Sequence, residues 1–195
     1  KMPKLFLNHL PLWVGQTKKG VKYGPSIIDS IIRKRFDHKY DIKTNYLYHS
    51  ILNKSNNPIN VKKNIEYFLD NILYGVKDYK DGDLIINLGG DHGIAVGTIM
   101  PMLRTYPELK VIWIDAHADI NTPDSSPSGS FHGMPVYFSS ELYLKSQLKL
   151  DNLIYYGIRD LDKEEENIIS KRKIKKYTSN DIKLIGANNI SEELI

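Results

Sequence analysis

The sequence of 195 residues contains no cysteine. This absence excludes disulfide bonds, thiolate-ligated metal sites and cysteine nucleophiles, and it fits a reducing compartment. The sequence also has no apolar run that approaches the roughly 20 residues needed to cross a bilayer, and it has no visible signal peptide. These absences lead us to expect a cytoplasmic protein that has no membrane partner.

Charge of either sign shows little excess. The sequence has 27 Lys and Arg against 23 Asp and Glu, which gives a formal net charge of +4. The densest basic patch, residues 171–176, follows three consecutive glutamates at 164–166, so the local charge nearly cancels. Such a patch is typical of a solvated surface between a helix and a strand, and we predict no nucleic-acid binding.

Apolar stretches alternate with helix-like patterns along the chain. The predicted strands comprise residues 4–7, 40–48, 84–88, 111–114 and 153–158, and the predicted helices lie near residues 24–32, 61–76, 94–104 and 162–171. Strands that are apolar on both faces are typical of a parallel sheet covered by helices. We therefore predict an α/β fold over residues 1–195, a single three-layer α-β-α domain with a mostly parallel sheet. Ligands bind such sheets at the carboxyl ends of the strands.

Polar clusters follow two of these predicted strands. Asp115, His117 and Asp119 come directly after the strand at 111–114, and His92 ends a Gly-Gly-Asp-His segment after the strand at 84–88. If the extended backbone continues, alternate side chains of the first cluster project to one side. Buried carboxylates without a partner are costly, and a divalent metal removes that cost. Imidazole with carboxylates suits manganese, zinc or iron better than calcium.

Each cluster alone also has a structural interpretation. His92 can be a hydrogen-bonded turn residue, and the Asp-x-His-x-Asp segment can be a salt-bridged loop. Carboxylates can bridge two ions, and a pair of ions can hold a hydroxide at neutral pH, so hydrolysis is the natural reaction class. The histidines outside the polar segments, His9, His38 and His49, are interpreted as structural or surface residues.

In combination, the segments resemble the ureohydrolases, and in particular the arginases. The matching segments occur in order along the chain and are Gly20-Val21-Lys22-Tyr23-Gly24-Pro25, Gly89-Gly90-Asp91-His92, Asp115 to Pro123 (DAHADINTP), Ser128 to Gly133 (SGSFHG) and Ile158-Arg159-Asp160-Leu161-Asp162. Together they cover almost the whole sequence with similar spacing. The resemblance is therefore specific, although no single segment is.

The resemblance implies a binuclear manganese (Mn2+) hydrolase that converts L-arginine to L-ornithine and urea, with a metal-bound hydroxide attacking the guanidinium carbon. In the implied metal site, His92, Asp115 and Asp119 bind one ion. Asp115 bridges to the second ion, which His117 also binds. Asp119 additionally orients the hydroxide. The second implied catalytic residue, His132, shuttles a proton to the leaving amine, a role that suits the pKa of imidazole.

The resemblance also implies how the small-molecule substrate is held. Asn121, Ser128 and Ser130 bind its carboxylate, and Ser130 stands where arginases usually have Asn. Asp162 and Glu165 lie near the α-ammonium group, Glu165 directly or through water. These residues favour L-arginine as the substrate and therefore an arginase. The alternatives are an agmatinase, a guanidinobutyrase or a non-catalytic arginase-like subunit. The sequence does not determine whether the protein forms a homo-oligomer.

The sequence departs from the family pattern in two further places. Gly93 replaces the usual Ser after Gly-Gly-Asp-His. The family's third metal motif, S-x-D-x-D-x-x-D-P, does not occur, so the chain contains four of the six protein ligands that the resemblance implies. We expect a C-terminally incomplete ureohydrolase domain whose 195 residues bind manganese weakly and have little or no activity by themselves.

Overall fold

A computed structural model of the protein describes residues 2–13, 15–46, 82–141 and 147–194. The strands are β1 (Lys4–Leu10), β2 (Asp41–Tyr46), β3 (Leu84–Gly89), β4 (Val111–Ile114), β5 (Leu153–Ile158) and β6 (Lys175–Thr178). The helices are α1 (Gly24–Phe36), α2 (Ile94–Thr105), α3 (Pro135–Glu141), α4 (Lys163–Arg172), α5 (Ser179–Ile185) and α6 (Ala187–Leu194). Single 3-10 turns span Lys19–Tyr23, Phe131–Gly133 and Leu150–Asn152. Within these described ranges, no helix is both long and apolar enough to cross a bilayer.

In the described parts of the chain, the six strands form two parallel sheets of three strands each. β1 lies between β2 and β3, and β5 lies between β4 and β6. All four strand pairings are parallel. The prediction of a three-layer α/β fold with a mostly parallel sheet is confirmed. Because parallel strands point the same way, the residues that follow β3 and β4 emerge at carboxyl ends, where ligands of such sheets bind.

The core beside β4 and β5 includes residues of the Asp115–Asp119 region itself. Ala118 is fully buried and Ile120 is 3% exposed, and both belong to the cluster that contains Trp113, Leu153 and Tyr155. Burial of an Ile side chain contributes about 1.5–3 kcal/mol. Packing of these apolar side chains therefore anchors the segment that carries the acidic ones.

Most predicted elements are confirmed, with changes at their ends. β1 extends three residues beyond the predicted strand, to Leu10. β6 was not predicted, because its sequence is mostly polar. Only Tyr177 is buried among its residues, Lys175-Lys176-Tyr177-Thr178. The predicted helix at 61–76 and the end of the predicted 40–48 strand lie outside the described residues.

Helix α1 buries a carboxylate, while most of its isoleucines face solvent. Ile27, Ile28 and Ile31 are 60%, 43% and 57% exposed, whereas Asp29 is 5% exposed. The Asp29 carboxylate pairs with Nε2 of His9 on β1 at 2.9 Å and with Nε of Arg33 at 2.7 Å. This ion pair compensates for the burial of charge and confirms His9 as a structural residue. His38 lies at the surface, and His49 lies outside the described residues.

Candidate metal centre

Three of the predicted ligands converge at the carboxyl ends of β3 and β4. Nδ1 of His92 lies 2.7 Å from Oδ2 of Asp119 and 3.1 Å from Oδ2 of Asp115. One potential ligand atom from each of the three residues lies within 4.8 Å of the others. This spacing allows a single ion to contact all three groups.

Backbone and side-chain hydrogen bonds to β5 fix the loop that carries the two aspartates. The N–H of Asp115 donates to the carbonyl of Tyr156 at 3.2 Å, and the carbonyl of Ala116 accepts two N–H groups from residues 159 and 160 at 3.0 and 3.1 Å. The hydroxyl of Tyr155 donates to the carbonyl of Ala118 at 2.9 Å. The end of β5 thus determines where the carboxylates of this loop lie.

Tyr155 is a supporting residue that the sequence did not reveal. Its side chain is fully buried. Burial, together with the nearby carboxylates of Glu165 and Asp119, raises the pKa of its hydroxyl well above the ordinary value. The hydroxyl therefore keeps its proton and its role as a donor. No local sequence pattern indicates the hydrogen bond from Tyr155 to Ala118, because the two residues are 37 positions apart.

The geometry of the Asp115–Asp119 segment differs from the expected continuation of the strand. β4 ends at Ile114, and Asp119 has a φ of 51°, in the left-handed region. This conformation costs an L-residue about 1–2 kcal/mol, and such strain is stored where the surroundings over-determine the backbone. Simple alternation of side chains was therefore the wrong reason for the convergence, although Asp115 and Asp119 do meet.

His117, the fourth predicted ligand, contacts Asp115 but is not part of the cluster of His92, Asp115 and Asp119. Its side chain is 54% exposed, with Nε2 3.3 Å from Oδ2 of Asp160 and Nδ1 3.5 Å from Oδ1 of Asp115. Its position next to Asp115 keeps it near the cluster. Its role as a ligand stays a prediction.

The chemistry of the donor set fits a divalent cation. Burial disfavours a charged His92, but the hydrogen bond to Asp119 and the charges of Asp119, Asp115 and Asp91 outweigh it, so the pKa of His92 is raised. The Nδ1–H of His92 thus donates a hydrogen bond to the Asp119 carboxylate in the structure. The His92 ring also stacks on Trp113, with centroids 4.4 Å apart, which fixes its plane. A metal ion in place of this proton would satisfy one imidazole and two carboxylates.

A pocket of about 280 Å³ adjoins the cluster through Asp119. It is lined by the predicted site residues His117, Asp119, Asn121, Ser128, His132, Asp162 and Glu165, together with Ser126, Pro127 and Gly133. Ser130 is not part of this lining. Its N–H donates instead to Oγ of Ser128 at 3.2 Å, which orders the loop.

The two acids predicted to face an α-ammonium group also begin helix α4. Oδ1 of Asp162 accepts the N–H groups of Glu164 and Glu165 at 3.0 Å, and the Glu165 carboxylate accepts the N–H of Asp162 at 3.4 Å. This reciprocal pattern is a capping box. Burial, followed by the charge of Asp162, raises the pKa of Glu165. The sequence motif therefore has a structural role in addition to the predicted one.

Asn121 already has partners for both ends of its amide. Its Nδ2 donates to Oδ2 of Asp162 at 2.6 Å, and its Oδ1 accepts from Oγ of Ser125 at 2.9 Å. These bonds orient the amide at the wall of the pocket. A bound carboxylate would compete for the same donor, so Asn121 and Asp162 act as a coupled pair.

Gly93 has a local reason to lack a side chain. A Cβ at this position would lie 2.7 Å from Cδ1 of Phe131 and 2.9 Å from Oδ1 of Asp91. Real Cβ atoms do not approach that closely, so the ring or the carboxylate would have to move. In this chain, the packing of Phe131 against Gly93 therefore leaves no room for the Ser side chain that the family usually has at this position.

The parallel strands and the His-Asp cluster define an α/β protein with a candidate divalent-metal site at its strand ends. The sequence profile of the arginase family matches residues 8–195. The chain belongs to the arginase family.

Individual relatives agree with this assignment. Hepatic arginase of Aquarana catesbeiana is 34% identical over 203 aligned residues, which cover 95% of this chain and 63% of that protein. Arginase of Plasmodium berghei is 45% identical over 124 residues, which cover 58% of this chain and 35% of that protein. The structure of Entamoeba histolytica arginase in complex with L-ornithine gives a TM-score of 0.87 at 28% identity, over 100% of this chain and 70% of that one. The chain thus spans less than two thirds of the length of these two curated relatives.

Proposed function

We propose that this chain carries part of the binuclear manganese site of an enzyme that hydrolyses L-arginine to L-ornithine and urea. One observation carries the proposal: in a chain of the arginase family, His92, Asp115 and Asp119 converge beside a pocket lined by His132 and acidic side chains. Neither the cluster nor the pocket alone would indicate this reaction.

His92, Asp115 and Asp119 would hold the first manganese ion. Asp115 would extend to the second ion, with His117 as its other ligand. Nitrogen and carboxylate donors without thiolates support manganese. Bound ions would supply Lewis-acid polarisation and the activation of water for attack on the guanidinium carbon.

The pocket suits a cationic amino acid. Asp119, Asp162 and Glu165 concentrate negative charge in its wall, which favours the guanidinium and α-ammonium groups of arginine. Asn121 and Ser128 provide polar groups for the carboxylate. The bound L-ornithine in the Entamoeba histolytica arginase supports an amino-acid product in a related fold.

His132 lines the same pocket as Asp119. Its ring would hold the proton released by the attacking water and deliver it to the δ-nitrogen of ornithine as the C–N bond breaks. Imidazole suits this role because its pKa lies near neutral pH.

The proposal is tested with the product of the full coding sequence, assayed with manganese for urea release from L-arginine and from agmatine. Agmatine lacks the α-carboxylate, and loss of one hydrogen bond to a charged group costs about 1.5–3 kcal/mol. We therefore expect kcat/KM for L-arginine to exceed that for agmatine by at least about 10-fold. A preference for agmatine would indicate another ureohydrolase, and no urea from either substrate would indicate a non-catalytic relative.

We further propose that the 195-residue chain by itself is a weak manganese binder, because four protein ligands cannot fix the coordination of two ions well. Calorimetric titration with Mn2+ and a urea assay on this chain test the point. We expect weak binding and little or no urea. Robust turnover by the 195-residue chain would contradict the incompleteness of its site.

A further inference from the structure

Asp91 is connected to His132 through the peptide groups of Gly15. The Asp91 side chain is buried, at 7% exposure. Its Oδ2 accepts the N–H of Gly15 and its Oδ1 accepts the N–H of Gly93, each at 2.9 Å. The carbonyl of Gly15 in turn accepts the backbone N–H of His132 at 3.1 Å and lies 2.8 Å from its Nδ1. Two hydrogen-bonded contacts, joined by the backbone of Gly15, therefore connect the carboxylate to the imidazole ring.

The last bond of this path fixes the tautomer of His132. A carbonyl oxygen only accepts hydrogen bonds, so Nδ1 at 2.8 Å must carry the hydrogen. In a neutral imidazole the other nitrogen, Nε2, then has the lone pair and can accept a proton. His132 lines the pocket that contains Asp119, so a ring fixed in this way is suited to exchange protons there.

The middle of the path depends on a residue without a side chain. A Cβ on Gly15 would lie 2.8 Å from Oδ1 of Asp91 and 3.1 Å from its Cγ. Only glycine lets the Asp91 carboxylate approach the Gly15 peptide this closely. The contact joins positions 76 residues apart, and the next contact, from Gly15 to His132, spans 117 residues.

We propose that Asp91 is a positioning residue for His132. Its carboxylate holds the Gly15 peptide, whose carbonyl keeps His132 in the Nδ1–H tautomer and leaves Nε2 free to accept and return a proton. This inference rests on the proposed function for the identity of the reaction, but the tautomer is a property of the chain without metal or substrate. Asp91 acts through Gly15 and His132 and has no direct part in the bond-breaking step.

The first measurement needs no substitution. In the 15N-histidine-labelled, metal-free chain, long-range 1H–15N spectra distinguish the two tautomers, and a His132→Gln variant assigns the signals. We expect His132 to have its hydrogen on Nδ1. A hydrogen on Nε2 in the unsubstituted protein overturns the proposal, whatever any variant does.

The second measurement uses Asp91→Asn. An Asn side chain presents one oxygen and one NH2 group to the N–H groups of Gly15 and Gly93, so it keeps at most one of the two bonds that fix Asp91 against Gly15. We expect His132 to lose its single tautomer. In the full-length gene product, we expect kcat for arginine to fall about 10–100-fold, the usual cost of removing a partner that orients an active-site imidazole, with KM changed less than about two-fold. Asp151→Asn, the same change at an exposed carboxylate, serves as the matched control.

The combined results separate the alternatives. A lower kcat with an unchanged His132 tautomer means that Asp91 acts by another route and overturns the proposal. An unchanged tautomer with an unchanged kcat overturns it as well. A loss of the single tautomer in the variant supports the positioning role even if the unsubstituted protein releases no urea. In that case only the proposed function fails.

Discussion

Replacing Asp119 with asparagine is expected to weaken manganese binding by the full-length gene product at least about 100-fold and to abolish urea release. Removing a group that only hydrogen-bonds to a metal ligand already costs about 10–100-fold in affinity. Asp119 is instead a member of the cluster itself, with Oδ2 2.7 Å from Nδ1 of His92. An amide in this place lacks the charge that compensates a divalent ion.

Asparagine is the informative substitution because of the backbone. Asp119 has a φ of 51°, and Asn adopts the left-handed region more readily than most residues. Asp119→Ala would remove the ligand and also place a less tolerant residue there, so a loss of affinity would have two causes. With Asn, we expect the thermal unfolding of the metal-free protein to change little.

The measurement is a calorimetric titration with Mn2+, accompanied by a urea assay and by circular dichroism of the metal-free forms. Asp151→Asn, an exposed carboxylate outside the cluster, should leave the titration unchanged. If Asp119→Asn binds manganese as tightly as the unsubstituted protein, Asp119 is not a ligand and the assignment of the site fails.

The sequence predicted the fold well because the strand signal is local. The apolar runs at Leu84–Gly89, Val111–Ile114 and Leu153–Ile158 need no partner to be recognised. β6 escaped prediction because an edge strand with one buried side chain, Tyr177, has no comparable pattern. The buried side of α1 was also hidden, since Asp29 is stabilised by His9, a residue 20 positions away on another element.

The candidate metal cluster could be predicted in part, and for a partly wrong reason. The residues that follow the carboxyl ends of β3 and β4 bring His92 near Asp115 and Asp119, as expected. The extended backbone assumed for this segment does not occur, because β4 ends at Ile114 and the loop is held by β5 instead. Contacts such as Tyr155 to Ala118 are long-range and leave no local trace in the sequence.

The same limit applies to the path that reaches His132. The Gly-Gly-Asp-His segment pointed to His92 as a ligand, but nothing local connected Asp91 with Gly15 or Gly15 with His132. Those pairs are separated by 76 and 117 residues. Sequence motifs thus indicate which residues carry chemistry, while the residues that orient them become visible only in three dimensions.

His132→Asn is expected to separate proton transfer from metal binding. General acid–base catalysis by a positioned side chain contributes about 100- to 10,000-fold, so we expect kcat for arginine to fall by that factor. The Nδ2 amide of Asn can replace Nδ1–H as the donor to the Gly15 carbonyl, which keeps the local fold. Manganese affinity should stay unchanged, because His132 is not a member of the cluster of His92, Asp115 and Asp119.

Measured together, kcat, KM and the Mn2+ titration of this variant distinguish the roles in the pocket. Loss of kcat with unchanged metal affinity is the expected signature of a proton shuttle, whereas Asp119→Asn is expected to lose both. A His132→Asn protein that keeps more than half of its kcat would show that the proton travels by another route.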